Sequence, residues 1–276
     1  MSKRVVICCP VFNCLEFTKD FVHSVKSSHY DLDFIFFDNG STDGSSEWLE
    51  DEIPHSTIIK CSHNLGISQA FNALMMEAKN RDLYSHVIYS NNDVICRRET
   101  IDSLVWAWDN REDDRIVKIS GVDVREDDRK SLEEAKQYVF NYNITKPYFT
   151  YGGCYTIFVW DSEAMEKAGL LNPLVDYYGD NIHAEEINRR GLTGVTFAPA
   201  IILHRGSATL KTNLSVKHQI GQKSAKDQAY AFKYFGIKDS FIDTMNILTN
   251  EALEIWQPRL LKINTKLIEK ELTYVH

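Results

Sequence analysis

Along the first third of the chain, short continuous apolar runs alternate with stripes of helical period. Arg4–Cys9 is an apolar run ending at Pro10; Asp33–Phe37 (DFIFF), Thr57–Cys61 and His86–Tyr89 are three more. Leu15–Val25 reads as a helix between the first two runs. Between Gly66 and Asn80 the apolar residues are Ile67, Ala70, Phe71, Leu74, Met75 and Ala78, spaced three and four apart as one face of a helix requires. Ile101, Leu104, Val105 and Trp108 mark the next helix. Strands and helices alternating through short joins predict an α/β fold with a mostly parallel central sheet flanked by helices.

Further on, Asp109–Lys136 is crowded with charge (DNREDDR, then DVREDDRKSLEEAK) and is expected to be solvated loop and helix surface. Tyr148–Trp160 is aromatic and strand-like, with Gly152 and Gly153 inside it. Paired glycines there mark either close approach of a ligand or a bulge. The chain AIIL before His204 is a last strand, and from Ser215 the pattern is helical. The organisation expected is one main domain, residues 1–214, with a helical C-terminal extension, residues 215–276.

Composition narrows this little. Hydrophobic residues at 43% and charged residues at 25% are those of a globular protein, and exclude a disordered or collagen-like chain. No apolar run is long enough to span a bilayer, and MSKRVVICCPVFN reads as a first strand rather than a leader. A net charge of −8 argues against a surface coated in basic residues for duplex binding. Six cysteines without a CxxC pair favour a reduced, cytoplasmic protein over a zinc site.

In parallel sheets ligands bind beyond the carboxyl ends of the strands. The segments that follow the four strands are Pro10–Asn13, Asp38–Asp43, Ser62–Gly66 and Ser90–Asp93, all rich in Asn, Asp, Ser or Gly. Any one of them is an ordinary turn; four at one sheet edge suggest a site. Asp93 at a strand end suits Mg²⁺ or Mn²⁺, and His204 adds an imidazole that suits Mn²⁺ better. Taken singly, the aspartate is more readily a turn or cap, and the histidine a satisfied core residue. Asp176, Asp180, Glu185 and Glu186 form an acidic cluster. There is no GxGxxG, GxxxxGK[ST] or GxSxG, so a bound diphosphate would need a metal for neutralisation.

The order strand-Pro-x-x-Asn, DNGSTDGS, NLGISQAFN, an Asn-Asn-Asp strand end, a Gly-Gly stretch, YYGDNIHAEE and LHRGSAT resembles a family 2 glycosyltransferase of the GT-A fold, over residues 4–210. The resemblance implies that Asp38 binds the nucleotide base, usually uracil, with Pro10, Asn13, Asn64, Gly66 and Asn92 completing the nucleotide pocket. It places Gly152 and Gly153 beside the donor sugar and makes Asp93 and His204 ligands of Mn²⁺ or Mg²⁺. Asp180 becomes the catalytic base of an inverting transfer from a nucleotide-sugar donor, a UDP-sugar first, to an acceptor hydroxyl. Gly179 stands where relatives often carry Glu, and Asn92 where they carry an acid; Glu185 and Glu186 are the fallback bases.

The acceptor class expected is a glycan or glycolipid. Residues 203–226 hold Arg205, Lys211, Lys217, Lys223 and Lys226 and no acidic residue. Arg205 and Lys211 would close over the diphosphate, or the stretch is a surface with ordinary lysines. QAYAFKYFGIKDSF is similar to the tails of virus-encoded members of the family, some of which glycosylate hydroxymethylated bases in DNA. The last helices could pack on the domain or join a homo-oligomer. A sugar-phosphate nucleotidyltransferase would need a glycine-rich basic loop after the first strand, which Pro10–Cys14 is not. A non-catalytic sugar-nucleotide-binding protein is the remaining alternative.

Overall fold

The computed structural model describes residues 4–125, 134, 136–137, 148–206, 225–231, 233, 258–259 and 262–263. Its elements run β1 (Val5–Val11), α1 (Leu15–Val25), β2 (Leu32–Asp38), α2 (Ser45–Glu52), β3 (Thr57–Lys60), α3 (Ile67–Arg81), β4 (His86–Ser90), β5 (Val94–Cys96) and α4 (Thr100–Asp109). Then follow β6 (Ile116–Arg125), β7 (Phe149–Tyr151), β8 (Ile157–Trp160), α5 (Ser162–Ala168), α6 (Gly179–Arg189) and β9 (Thr193–His204). The described strands form one sheet in the order β3-β2-β1-β4-β8-β6-β9-β5, with β7 on β9.

The expected α/β architecture is present. β3, β2, β1 and β4 are parallel neighbours, and β6 and β9 are parallel too. β8, β5 and β7 enter antiparallel. Every residue of β1 is buried, as a central strand covered on both faces must be. β1 runs to Val11, two residues past the end expected at Cys9. The Val11 carbonyl accepts from Asn39 on the β2 side, so alternation turns Pro10 toward β4, whose pairing with β1 ends at Cys8. The missing N–H therefore interrupts no ladder.

Two expectations fail. The charged middle contains β6, ten residues long and buried over its first half. Beyond Gly121 it alternates: Val122 and Val124 pack on Ile95, Ile201 and Leu203, while Asp123 and Arg125 face a cleft. The stretch 148–160 is not one strand but two, β7 and β8, with Gly152 and Gly153 in the connection. Of 215–276 the described residues are helical, and Ala231 packs on Val175 and Ile182 of the main body. Among the described residues no helix is long and apolar enough to cross a membrane.

The α3 stripe packs as its period requires. Ala70, Phe71, Leu74, Met75 and Ala78 are buried, while Ile67 at the helix start stays exposed. Phe71 meets Tyr89, Trp160 and Phe158 at ring-centroid separations of 4.9, 5.7 and 6.1 Å. This aromatic cluster joins α3 to the middle of the sheet. Phe71→Ala should cost about 3–5 kcal/mol of stability, read from urea unfolding. A loss below about 1 kcal/mol would show that α3 is not anchored through this ring.

Candidate active site

Four strand ends meet at one edge of the sheet, and side-chain amides and carboxylates knit them. Asn39, almost fully buried, accepts from the Leu65 amide at 2.7 Å. Its Nδ2 donates to Asn64 Oδ1 at 3.0 Å and to the Gly66 carbonyl at 3.3 Å. Asn13 accepts from the Thr42 amide at 2.8 Å and its own amide donates to Ser41 Oγ at 2.9 Å. Asp43 accepts from the amides of Leu15 and Ser45, the first residues of α1 and α2. One carboxylate thereby caps two helices whose own capping residues, Cys14 and Gly44, give no side-chain bond. Asp38 accepts the Ser41 amide at 2.9 Å, a turn that uses only Oδ1. Asn92 donates to Thr18 Oγ1 at 3.0 Å and toward the Asn13 carbonyl.

Next to these loops opens a cleft of about 550 Å³. Gly152, Gly153, Asp180 and His204 line it, together with Asp123, Arg125, Asp176 and the tyrosines 89, 151, 155, 177 and 178. Pro10, Asn13, Asp38, Asn64, Gly66, Asn92 and Asp93 do not line it. The two groups adjoin at Gly66, where a Cβ would overlap the Asp176 carboxylate. Asp176 and Tyr177 are held in turn by Asp227, which accepts both their amides at 3.0 and 3.1 Å. Asn72, the last residue of NLGISQAFN, exchanges two hydrogen bonds with the Leu171 backbone.

Asp93 precedes β5, whose first residue pairs with His204 at the end of β9. His204 Nε2 lies 3.4 Å from Asp93 Oδ2, and Nδ1 lies 3.1 Å from Asp123 Oδ2. Burial works against the imidazolium, but hydrogen bonds to Asp123 and Asp93 overcome it and push the pKa up to about 9. Thr156 donates to the same Asp123 oxygen at 2.9 Å. Asp93 Oδ1 and Asp123 Oδ1 are buried without a hydrogen-bond partner. These two carboxylate oxygens and the imidazole are a donor set that could hold a cation. Among the described residues no three His, Cys, Asp or Glu side chains close a metal cage by themselves.

Asp180 stands in the first turn of α6, its Oδ1 accepting from the Asn181 amide at 2.9 Å. Desolvation within the cleft raises its pKa, against the pull of that amide, Lys118 and Arg125. The residue is open to solvent in the cleft, which moderates the upward push. Gly179 beside it is buried, and a Cβ there would press on Ser68 Oγ, so α3 fills the space an acidic side chain would take. Glu185 is tied to Arg189 at 2.7 Å, and neither it nor Glu186 lines the cleft.

Arg205 donates to Asp20 at 2.9 Å and stacks 3.7 Å over the Phe17 ring, both on α1. Lys211 lies outside the described residues. Sequence reasoning passed over Asp123 and Lys118; it held Asn39 and Asp43 in the loop after β2 and Asp176 in the acidic cluster, without a role for any of the three. The alternation Val122-Asp-Val-Arg in β6 was the available signal for Asp123.

Comparison with known proteins bears on the fold and the family. A mannosyltransferase from Pyrobaculum calidifontis, solved with GDP-Man and Mn²⁺, superposes with a TM-score of 0.58 at 15% identity, covering 100% of this chain and 77% of that one. S. aureus TarS 1-349 gives 0.57 at 13% identity, covering 91% and 79%. The same fragment with UDP gives 0.57 at 12%, covering 96% and 88%. At these identities the likeness is one of fold. No curated protein matches the sequence significantly. The model of glycosyl transferase family 2 matches residues 6–168, more than half of the chain, and the protein belongs to that family.

Proposed function

We propose that this chain moves a sugar from a nucleotide-diphosphate donor, a UDP-sugar first, to an acceptor hydroxyl with inversion at the anomeric carbon. The observation that carries the reading is the position of Asp180. It is a carboxylate at a helix start, across a cleft from Gly152 and Gly153, in the same cavity as His204. Asp123 is engaged with His204 and Asp176 abuts Gly66. One carboxylate is left to act as base on an attacking hydroxyl, as a single displacement requires.

Asp38, Asn13, Asn64, Gly66, Asn92 and Pro10 would hold the nucleotide at the adjoining loops. Asp93 and His204 would hold Mn²⁺ or Mg²⁺, with Asp123 on Nδ1 directing Nε2 toward it. Such an ion, when bound, neutralises charge on the leaving diphosphate. Asp180 accepts the acceptor's proton as the hydroxyl oxygen attacks, and an upward-shifted pKa suits a base that must release that proton again. Arg205 is carried next to Asp93, whose carbonyl accepts its amide at 2.9 Å. From there it can leave Asp20 for a phosphate, and Lys211 would join it. Four intermediate-exposure tyrosines at 151, 155, 177 and 178 line the cleft, with Arg125 as its one Lys or Arg among the described residues. That wall favours a sugar-bearing acceptor, glycan or glycolipid, over hydroxymethylated DNA, which demands several phosphate-neutralising cations.

Nucleoside diphosphate release from a panel of UDP- and GDP-sugars, with Mn²⁺ or Mg²⁺, tests the reading. Asp180→Asn should lower kcat by about 10²–10⁴-fold with donor affinity retained. Near-full activity of that variant would remove Asp180 as the base. Asp93→Ala should instead weaken donor binding and abolish its metal dependence together, measured by calorimetry with and without Mn²⁺. Equal donor affinity in the variant and wild type would overturn the metal assignment.

A further inference from the structure

Beneath the cleft lies a cation with no assigned task. Lys118 is in β6, and its side chain is 2% exposed. Its Nζ donates to the carbonyls of Gly153 at 2.9 Å and Cys154 at 3.2 Å. It also sits 3.2 Å from the centroid of the Tyr155 ring, an arrangement the ring quadrupole favours. Among the described residues no carboxylate lies within ion-pair distance of it. An ammonium buried this deeply is costly unless every proton is used, and here two carbonyls and a ring face use all three.

The slot for this side chain is cut by glycines. Lys118 pairs with Gly194 in the β6–β9 ladder. A Cβ on Gly194 would come within 2.9 Å of Lys118 Cε, and one on Gly153 within 3.3 Å. Tyr155 continues the connection. Its hydroxyl lies 2.7 Å from His183 Nδ1, and His183 Nε2 lies 2.9 Å from the Gly169 carbonyl. Burial, aided by Lys118, depresses the His183 pKa to about 4. The ring is neutral, so Nε2–H donates to Gly169 and Nδ1 accepts the tyrosine proton. His183 is three residues after Asp180, on the same helix, and nearly one turn beyond it.

We infer that Lys118 is a positioning residue for the transfer: it fixes the Gly153 and Cys154 carbonyls on a wall of the cleft that Asp180 also lines, and its ammonium is the buried charge behind that wall. The functional half of this rests on Asp180 being the base; the electrostatic half does not. Burial pulls the Lys118 pKa down to about 7, opposed by Cys154 and Asp180. Aspartates titrate well below that, so Lys118 is charged throughout the range in which Asp180 gains its proton. The other groups that act on or face Asp180 are Arg125 on β6, Tyr89 at the end of β4, and Tyr155. Both tyrosines have pKa values raised well above the ordinary value by burial and stay neutral in that range. Glu186 on the same helix acts on Tyr155.

The test is a carboxyl-¹³C aspartate titration of the full chain, with the Asp180 resonance assigned by its loss in Asp180→Asn. Lys118→Met should move the Asp180 midpoint up by about one pH unit, because an opposite charge nearby favours the carboxylate. Gly194→Ala, which only pushes on Cε, should move it the same way by less and serves if the methionine variant does not fold. In donor turnover, Lys118→Met should lower kcat at pH 7 by about 10-fold or more with a smaller change in donor KM, and shift the acid limb of kcat upward with the midpoint. An unmoved midpoint in a folded variant overturns the inference whatever Asp180 does. A moved midpoint in an enzyme whose Asp180→Asn variant stays active would instead sink only the assignment of Asp180 as base, leaving Lys118 without its functional half.

Discussion

Parallel strands that end together leave their last backbone groups, and the loops that follow, to be satisfied by side chains. In this molecule that constraint converges on Asn39. Its amide donates to Val11 at the end of β1, its Oδ1 takes the Leu65 amide after β3, and its Nδ2 binds Asn64 and the Gly66 carbonyl. One buried residue, by its backbone amide to β1 and its side chain to the loop after β3, thus joins the ends of β1, β2 and β3 ahead of α3. Removing it would leave buried donors and acceptors unpaired, which costs more than the net value of the bonds themselves. The position of Gly66, and through it of Asp176 and the cleft wall, follows from this one amide.

The first half of the fold was legible because each element there has a clean period. Buried runs such as Phe34–Phe37 and the stripe through Phe71, Leu74 and Met75 need no tertiary information. The second half was obscured by charge. β6 is flanked by acidic and basic runs and itself contains Lys118 and Asp123, residues that composition assigns to solvent. They sit in the sheet because a cleft and two carbonyls receive them, a tertiary fact with no local signature. The same holds for Asp43. Its capping of α1 crosses from the loop after β2 to a helix 28 residues earlier in the chain, so no spacing rule within one helix would find it.

The site was legible in its parts and not in its arrangement. Asp93 and His204 are far apart in sequence and meet through the β5–β9 ladder, while Asp123, invisible in a charged stretch, completes the set from β6. The amide-rich loops and the charged cleft are separate regions with different physics. In the loops, the amides of Asn13 and Asn39 and the carboxylates of Asp38 and Asp43 spend their hydrogen bonds on backbone groups. In the cleft, Asp123, Asp176 and Asp180 face few cations among the described residues, and His204 is held by Asp123 and by Asp93 beside it. A site of this sign repels a diphosphate unless a cation comes with it, which is the physical content of the metal requirement proposed above.

Against that excess of acid, the buried ammonium of Lys118 matters more than its distance from solvent suggests. A charge on the surface would be screened by water and salt; one beneath the cleft floor, in lower dielectric, is screened less, although Asp180 itself stands open to solvent in the cleft. It can be there only because β9 carries no side chain at Gly194 and the β7–β8 connection none at Gly153. The same device recurs at Gly66, where the absent Cβ lets the Asp176 carboxylate close on the loop after β3. Glycine in this site therefore brings a charged group against backbone that any side chain would hold away. The cost is a loss of side-chain packing, and it is offset by the aromatic cluster of Phe71, Tyr89, Phe158 and Trp160, which anchors the sheet behind the cleft without relying on the loops that form it.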